Sequence, residues 1–277
     1  MPPTFMAPVP AGPRWELEVR PGLAPFARDE LAAHPGVTPL PPAVAGEADD
    51  GHAAAVPFLC DGPPPGPDAV RTATSLQRVV PFDVPRPKAL LGDAAARAVA
   101  AELRGVRMRG TFHGLRLEAA GADTPVARRL RAAWADAVGL PDAPEDGDLR
   151  VRLRRTPDAV GRGWEVVIRT TPRPWSVRPW RVVDRPGGLD ATVAAAAWRW
   201  LGTPADQRVV NAACGGGTLL AERIALGPAA ALVGVDLDAD ALAAAAANLA
   251  AAGARVEGDL LPPDDGAAAP PARSRPA

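Results

Sequence analysis

The sequence predicts an α/β protein in which an α+β region precedes a parallel β-α-β-α-β unit. Two stretches lead to this prediction. Residues 208–222 combine a short apolar strand, a run of glycines and a helical pattern, and residues 232–236 form a second apolar strand that ends on Asp236. Strands that alternate with helical patterns at this spacing are typical of βαβ units, whose parallel sheet is covered by the helices.

The first 70 residues contain one clear strand and one clear helix. Residues 15–20 alternate apolar and polar side chains, which is typical of a half-buried strand, and apolar residues recur at helical spacing over residues 23–31. Residues 38–67 are rich in proline, glycine and alanine. They predict a long loop, in which residues 56–60 could form a short strand.

From residue 71 onward the pattern becomes more regular. The best-defined helix spans residues 125–138, because Thr124 caps it, Pro125 occupies its first position and Gly139 ends it. A second helix is expected over residues 89–103. Strands are expected over residues 74–82, 111–119, 150–154 and 164–170, the last two paired as a hairpin.

The last third of the chain supplies the parallel unit. Asp190 is predicted to cap a helix over residues 191–200 that lies against the sheet of this unit. The helix that follows the glycines covers residues 218–226, and Asp238 caps a further helix that ends at Gly253. Residues 255–259 are predicted to form the third strand.

The composition excludes several classes of protein. The 277 residues carry a formal net charge of −1, which excludes a uniformly basic nucleic-acid binder, although residues 104–185 hold 17 arginines against 10 acidic residues. Cys60 and Cys214 are too few and too far apart for a disulfide framework or a zinc site, so we expect no metal. We find no signal peptide and no apolar run of bilayer length, so we expect a cytoplasmic protein without membrane contact.

The glycine turn and Asp236 point to an adenosine ligand. Glycines lack a Cβ atom, so a ligand can lie directly on the backbone of this turn. Asp236 follows the next strand, at the edge where open parallel sheets bind ligands, and its carboxylate would accept hydrogen bonds from both ribose hydroxyls. A dinucleotide fingerprint is excluded because Leu220 occupies its third glycine position, and no lysine follows the glycines as in a P-loop. A glycine turn without a ligand is the alternative.

Residues 214–222, Cys-Gly-Gly-Gly-Thr-Leu-Leu-Ala-Glu, resemble the first motif of S-adenosylmethionine-dependent RNA methyltransferases. In that motif, C-G-S-G-T precedes an apolar pair and an acid. The resemblance implies a Rossmann-like methyltransferase domain with S-adenosylmethionine as its cofactor. Asn211 stands where the family has an acid that reaches toward the methionine amino group, so we expect weak affinity. Asp259 matches the acid that holds the adenine amino group. The implied cofactor-binding residues are Asn211, Cys214, Gly215, Gly217, Thr218, Asp236, Leu237 and Asp259.

The elements before this motif end in a hairpin with a basic face, and their order resembles the THUMP domain of RNA-modifying enzymes. Residues 15–33 look like the ferredoxin-like domain that precedes it in the family. Over residues 14–260 the chain is similar to the guanine-N2 methyltransferases of tRNA and ribosomal RNA. The resemblance implies a small ferredoxin-like domain and linker (14–70), a THUMP-like RNA-binding domain (71–172), the N-terminal half of a Rossmann-like methyltransferase domain (173–260) and a disordered tail (261–277).

Five arginines are expected to contact RNA. Guanidinium groups bind phosphates in bidentate fashion, and a basic patch binds RNA with little sequence preference. Three of the five lie on one predicted strand, for which a solvated strand face is the alternative. The other two lie in the proline-rich stretch 171–181, which resembles a Ser-x-Arg-x-x-Arg stretch that enters the family's catalytic domain. The five residues are Arg150, Arg152 and Arg154 on the strand, and Arg178 and Arg181 in the proline-rich stretch.

The resemblance also implies a catalytic Asp/Asn-Pro-Pro-Tyr/Phe motif on a fourth strand. The nearest match begins at Leu261, which replaces the hydrogen-bond acceptor, and ends at Asp264, which replaces the aromatic residue. We therefore expect a chain that is truncated before this motif, inactive alone, without catalytic residues, and able to self-associate through an exposed sheet edge. The implied family function is methylation of guanine N2 in tRNA or ribosomal RNA. The alternatives are a non-catalytic relic or truncated pseudoenzyme that binds RNA and S-adenosylmethionine, and a structural domain that binds neither.

Overall fold

A computed structural model describes residues 12–41, 54–157 and 162–257. These residues divide into two compact units. The first unit contains the chain up to Arg178 together with residues 189–203, and the second contains residues 179–188 and the chain from Pro204 onward. The predicted α/β class is confirmed, since both units combine helices with a sheet.

The first unit is built on a seven-stranded sheet with the strand order β2-β3-β1-β4-β7-β6-β5. The pairing is antiparallel except between β5 and β6, which run parallel. Pairing between β1 and β4 carries the sheet across residue 70, where a domain boundary is predicted. The strands are β1 (Arg14–Val19), β2 (Val37–Pro39), β3 (Ala54–Cys60), β4 (Ala73–Phe82), β5 (Leu115–Ala119), β6 (Leu149–Arg155) and β7 (Trp164–Arg169).

Helices of the first unit pack on the apolar side of this sheet. Leu103 and Trp134 belong to the core that lies over β5, β6 and β7, and Leu31 belongs to the core that lies over β1 and β3. Alternation along the strands directs most of their apolar residues to this side and most of their charged residues to the other. The helices on this side are α1 (Ala24–Ala32), α2 (Asp93–Arg107) and α3 (Pro125–Val138), and the unit also contains α4 (Ala191–Leu201).

The predicted boundaries hold for α3 and need correction for α2. The hydroxyl of Thr124 accepts a hydrogen bond from the amide of Ala127 (3.3 Å), and Gly139 ends α3 in the left-handed conformation with φ 65°. The helix predicted from residue 89 instead begins at Asp93, because Pro87–Leu91 forms a short 3-10 turn that stops at Gly92.

Helix α4 forms as predicted. It belongs to the first unit. Asp190 caps α4 at the amide of Thr192 (2.8 Å) and also accepts from Arg20 (2.6 Å), while Arg199 donates to Glu30 of α1 (2.7 Å). Because the carboxylate of Glu30 is buried, its charge requires a partner such as Arg199.

The second unit is a two-stranded parallel sheet of β8 (Arg208–Asn211) and β9 (Ala231–Gly234). Helices α5 (Thr218–Ala225) and α6 (Ala239–Ala251) cover one side, where Leu220 packs against Ala245 and Cys214. The third strand predicted over residues 255–259 does not appear in its described part, Arg255–Glu257, which makes no strand pairing. Gly258 and Asp259 lie outside the described residues, as does the predicted tail over 261–277.

Candidate cofactor site

The glycine turn folds back over the ends of both strands of the second unit. The amide of Val235 donates to the carbonyl of Asn211 (2.9 Å), and the carbonyl of Val235 accepts from the amide of Cys214 (3.0 Å). The amide of Gly217 then donates to the carbonyl of Cys214 (2.9 Å), which closes the turn at the start of α5. This backbone network places Asn211, Cys214 and the glycines together.

Two of the glycines are required by the backbone conformation. Gly215 and Gly217 have φ values of 51° and 78°, in the left-handed region that other residues avoid. At Gly217 a Cβ atom would also lie only 3.2 Å from Cα and Cβ of Ala245 on α6. A side chain at position 217 would therefore crowd Ala245 of α6.

Asp236 joins the glycine turn to the loop that begins α6. One of its carboxylate oxygens accepts from the amide of Gly215 (2.8 Å), and the other accepts from the amide of Asp238 (3.1 Å). These backbone donors, that of Asp238 first, lower the pKa of Asp236 below its ordinary value. Each oxygen of the ionised carboxylate keeps a further lone pair that can accept a hydrogen bond from a ligand.

Segment 179–188 lies against this turn and was predicted to contact RNA through Arg181. The guanidinium of Arg181 instead donates to the hydroxyl of Thr218 at the start of α5 (2.9 Å) and contacts Asp184 (3.3 Å). Arg185 forms an ion pair with Asp238. The segment therefore helps to build the surroundings of the glycine turn.

Asn248 is a residue of this site that sequence reasoning missed. It is buried on α6, and its amide group donates to the carbonyl of Gly216 (2.9 Å). It also bonds to both backbone groups of Val183. One sequence signal could have revealed it, since Asn248 follows Ala241 and Ala245 on the inward face of a helix that otherwise buries alanines.

The other predicted cofactor residues differ in exposure. The thiol of Cys214 is buried, and burial followed by the charge of Asp236 raises its pKa, so this side chain acts as a small apolar group. The side chain of Leu237 is fully exposed beside Asp236. Asp259 lies outside the described residues.

Two other features are absent from residues 12–41, 54–157 and 162–257. These residues contain no cluster of His, Cys, Asp and Glu that could hold a metal ion. Their helices include none with the length and apolar composition of a membrane span.

Three of the four arginines of β6, those expected to contact RNA, lie on the polar side of the seven-stranded sheet, where each meets a carboxylate. Arg154 lies between Glu16 (2.7 Å) and Glu165 (2.8 Å), whose side chains are only 3% and 0% exposed. Burial alone would lower the pKa of Arg154, but these two carboxylates raise it above its ordinary value. Arg154 is thus a structural counter-charge, which corrects the expectation of a solvated or RNA-facing side chain.

Arg150 and Arg152 are more exposed than Arg154. Both contact Glu118 across the β5–β6 pair, and Arg152 also reaches Glu18 of β1 (3.2 Å). The described part of this side holds six arginines and four glutamates, so it keeps a positive excess. These are Arg14, Arg116, Arg150, Arg152, Arg154 and Arg169 with Glu16, Glu18, Glu118 and Glu165.

Arg178 is buried, which corrects its predicted position on an RNA-facing surface. Its guanidinium donates to the carbonyl of Trp175 (2.7 Å) and to the carbonyl of Arg71 (2.5 Å). Because these carbonyls lie inside the first unit, Arg178 fixes the end of this unit and is not presented to a ligand.

Comparison with known proteins agrees with this geometry. Residues 178–260 match the family described as RMKL-like, methyltransferase domain. The crystal structure of TrmN from Thermus thermophilus is similar at 26% sequence identity and a TM-score of 0.60, over 87% of this chain and 70% of that chain. A structure of a predicted N6-adenine-specific DNA methylase from Listeria monocytogenes shares the fold at 14% identity and a TM-score of 0.53, over 87% and 72% of the two chains. We found no match among curated proteins. Residues 178–260 therefore match an RMKL-like methyltransferase domain, and the similarity to TrmN agrees with the resemblance of the chain's motifs to THUMP-type RNA methyltransferases.

Proposed function

We propose that this chain binds S-adenosylmethionine in the glycine turn and serves methylation of guanine N2 in tRNA or ribosomal RNA. The observation that carries the cofactor proposal is the carboxylate of Asp236, held by the amides of Gly215 and Asp238. A ribose presents two neighbouring hydroxyl donors, and this ionised carboxylate presents two oxygens with spare lone pairs. The residues present therefore fit the adenosine part of the cofactor.

The remaining residues of the site fit a cofactor without phosphates. A turn that cradles phosphates as a P-loop does would carry a lysine after its glycines, and this turn continues with Thr218 and apolar residues. Asn211 lies at the end of β8, where its side-chain carbonyl can accept a hydrogen bond from an amino group but lacks the charge of an acid. We therefore expect weak binding of the methionine part. When bound, S-adenosylmethionine supplies the activated methyl group.

RNA as the substrate class rests on the family resemblance and on the polar side of the seven-stranded sheet. Arg150 and Arg152 keep about a third of their side-chain surface exposed, at 33% and 36%, despite their glutamate partners. Phosphate groups of RNA would compete with Glu18 and Glu118 for these guanidinium groups. Arg154 is excluded from this role because its two partners are buried.

Calorimetric titration with S-adenosylhomocysteine tests the cofactor proposal. We expect Asp236→Ala to weaken binding by at least about tenfold, because it removes the carboxylate that would accept charge-assisted hydrogen bonds from both ribose hydroxyls. Asp240→Ala is the matched control, since it removes the same charge from an exposed position in the first turn of α6. Equal affinities of the parent chain and Asp236→Ala would reject the ribose assignment.

A non-catalytic binding protein is the second candidate, and one observation favours it. The 277 residues contain no Asp/Asn-Pro-Pro-Tyr/Phe sequence, so we assign the acceptor for the guanine amino group to none of them. Incubation of residues 1–277 alone with S-adenosylmethionine labelled in its methyl group and undermethylated RNA should then give no incorporation. Incorporation above that of Asp236→Ala would eliminate this second candidate.

A further inference from the structure

Asn248 is a polar side chain in an apolar setting. It lies within the alanine-rich helix α6, is only 1% exposed, and shares its inward face with Ala241 and Ala245. A buried amide costs free energy unless its donors and acceptor are hydrogen-bonded. The partners of Asn248 therefore indicate why an amide is present where the rest of the helix buries methyl groups.

The three side-chain hydrogen bonds of Asn248 go to backbone groups outside α6. Its Nδ2 donates to the carbonyl of Gly216 (2.9 Å) and to the carbonyl of Val183 (2.9 Å), and its Oδ1 accepts from the amide of Val183 (2.9 Å). The amide group thus pairs with Val183 as a neighbouring strand would, and its second N–H reaches the middle of the glycine turn. Only an amide side chain carries the donors and the acceptor that this arrangement uses.

Three further contacts reinforce the same connection. Ala245, one turn before Asn248, lies so close to Gly217 that a Cβ atom on residue 217 would lie 3.2 Å from it. Arg181 and Arg185 hold the ends of the segment around Val183, at Thr218 and at Asp238. The inward face of α6 therefore contacts the turn and the segment together.

We propose that Asn248 is a positioning residue, which holds the glycine turn in its cofactor-binding conformation and links that conformation to the segment around Val183. The effect on affinity rests on the proposed function, because it supposes that the turn binds S-adenosylmethionine. Asn248 acts through the carbonyl of Gly216 and is not assigned a contact with the cofactor. If the turn held its binding conformation for only about a tenth of the time, the dissociation constant would rise about tenfold.

Hydrogen exchange of individual amides tests the positioning without a ligand. In Asn248→Ala, we expect faster exchange of the amides of Val183, Gly215 and Gly217. Asn248→Asp retains an acceptor for the amide of Val183 but cannot donate when ionised, so the turn amides alone should exchange faster. This second variant keeps one of the three hydrogen bonds and decides the question if Asn248→Ala does not fold.

Leu249→Ala is the matched control for lost stability. Leu249 is the next residue of α6 and packs, partly buried, against the core of the unit. Its truncation should destabilise the unit as a whole and should not accelerate exchange of the turn amides more than that of other amides. If the turn amides exchange no faster in the two Asn248 variants than in Leu249→Ala, the proposal is overturned.

Titration with S-adenosylhomocysteine then separates the two proposals. We expect both Asn248 variants to bind about tenfold more weakly, while Leu249→Ala binds like the parent. Unchanged affinity in both Asn248 variants would show that the link has no effect on the cofactor. Absence of binding by the parent chain would reject the proposed function, and the exchange rates would still decide whether Asn248 positions the turn.

Discussion

The two sheets of this protein satisfy their polar groups in different ways. On the polar side of the seven-stranded sheet, guanidinium and carboxylate groups pair across strands, and Glu16 and Glu165 lose nearly all contact with solvent. Around the two-stranded sheet, backbone amides bind Asp236, and one neutral amide, Asn248, connects the turn to its surroundings. Charge is thus part of the structure of the first sheet, whereas at the second sheet the charge of Asp236 remains available to a ligand.

This difference shows that arginine content alone does not identify a nucleic-acid surface. Arg154 and Arg152 lie two residues apart on one side of β6, but the first compensates buried carboxylates and the second has partly exposed partners. Removal of one partner from a buried ion pair leaves an uncompensated charge in the interior. The same substitution at an exposed pair removes an interaction that solvent already weakens.

The largest expected effect is on the stability of the first unit. Arg154→Ala should lower the free energy of unfolding by about 3–5 kcal/mol, because buried Glu16 and Glu165 lose their shared partner and Glu165 is left with Arg14 (3.0 Å). Arg185→Ala, which breaks the more exposed pair with Asp238 beside the second sheet, should cost at most about 1 kcal/mol. Urea denaturation of both variants measures the difference. Similar losses in the two would show that the first sheet does not depend on its charges.

A smaller effect is expected on RNA affinity. Replacement of Arg150 and Arg152 by Ala should weaken tRNA binding and reduce the slope of log affinity against log salt by about 0.7–0.9 for each lost phosphate contact. Filter binding over a series of salt concentrations measures this slope. Arg128→Ala with Arg129→Ala on exposed positions of α3 controls for the loss of two charges. An unchanged slope in the variant without Arg150 and Arg152 would show that these arginines do not contact RNA phosphates and are a solvated part of the charge network.

Local signals allowed much of this structure to be predicted from the sequence. The cap and proline that begin α3 are neighbours in the chain, the glycine that ends it directly follows its last residue, and the glycines with left-handed φ values lie within one turn. Asp236 was identifiable because it ends a short apolar strand. In each of these cases the residues that determine the conformation lie within one turn or one strand.

Long-range pairing accounts for what the sequence did not reveal. Glu16 and Arg154 are separated by 138 positions, so nothing near Arg154 indicated that its charge would be neutralised. The cap of helix α4 at Asp190 could be predicted from the sequence. The ion pair of its Arg199 could not, because the partner Glu30 lies 169 positions away. Asn248 was missed for the same reason, because its side chain bonds to Gly216 and Val183 and not to residues of its own helix.

The hydrogen bonds that hold Asp236 also determine how cofactor binding should respond to acidity. A carboxyl group whose folded pKa is depressed is ionised throughout the neutral range, and it gains a proton only as the pH falls through that depressed value. Recognition of the ribose by Asp236 should therefore neither release nor take up protons between about pH 5 and pH 8. The contribution of this residue to the binding enthalpy should be the same in buffers of different ionisation enthalpy.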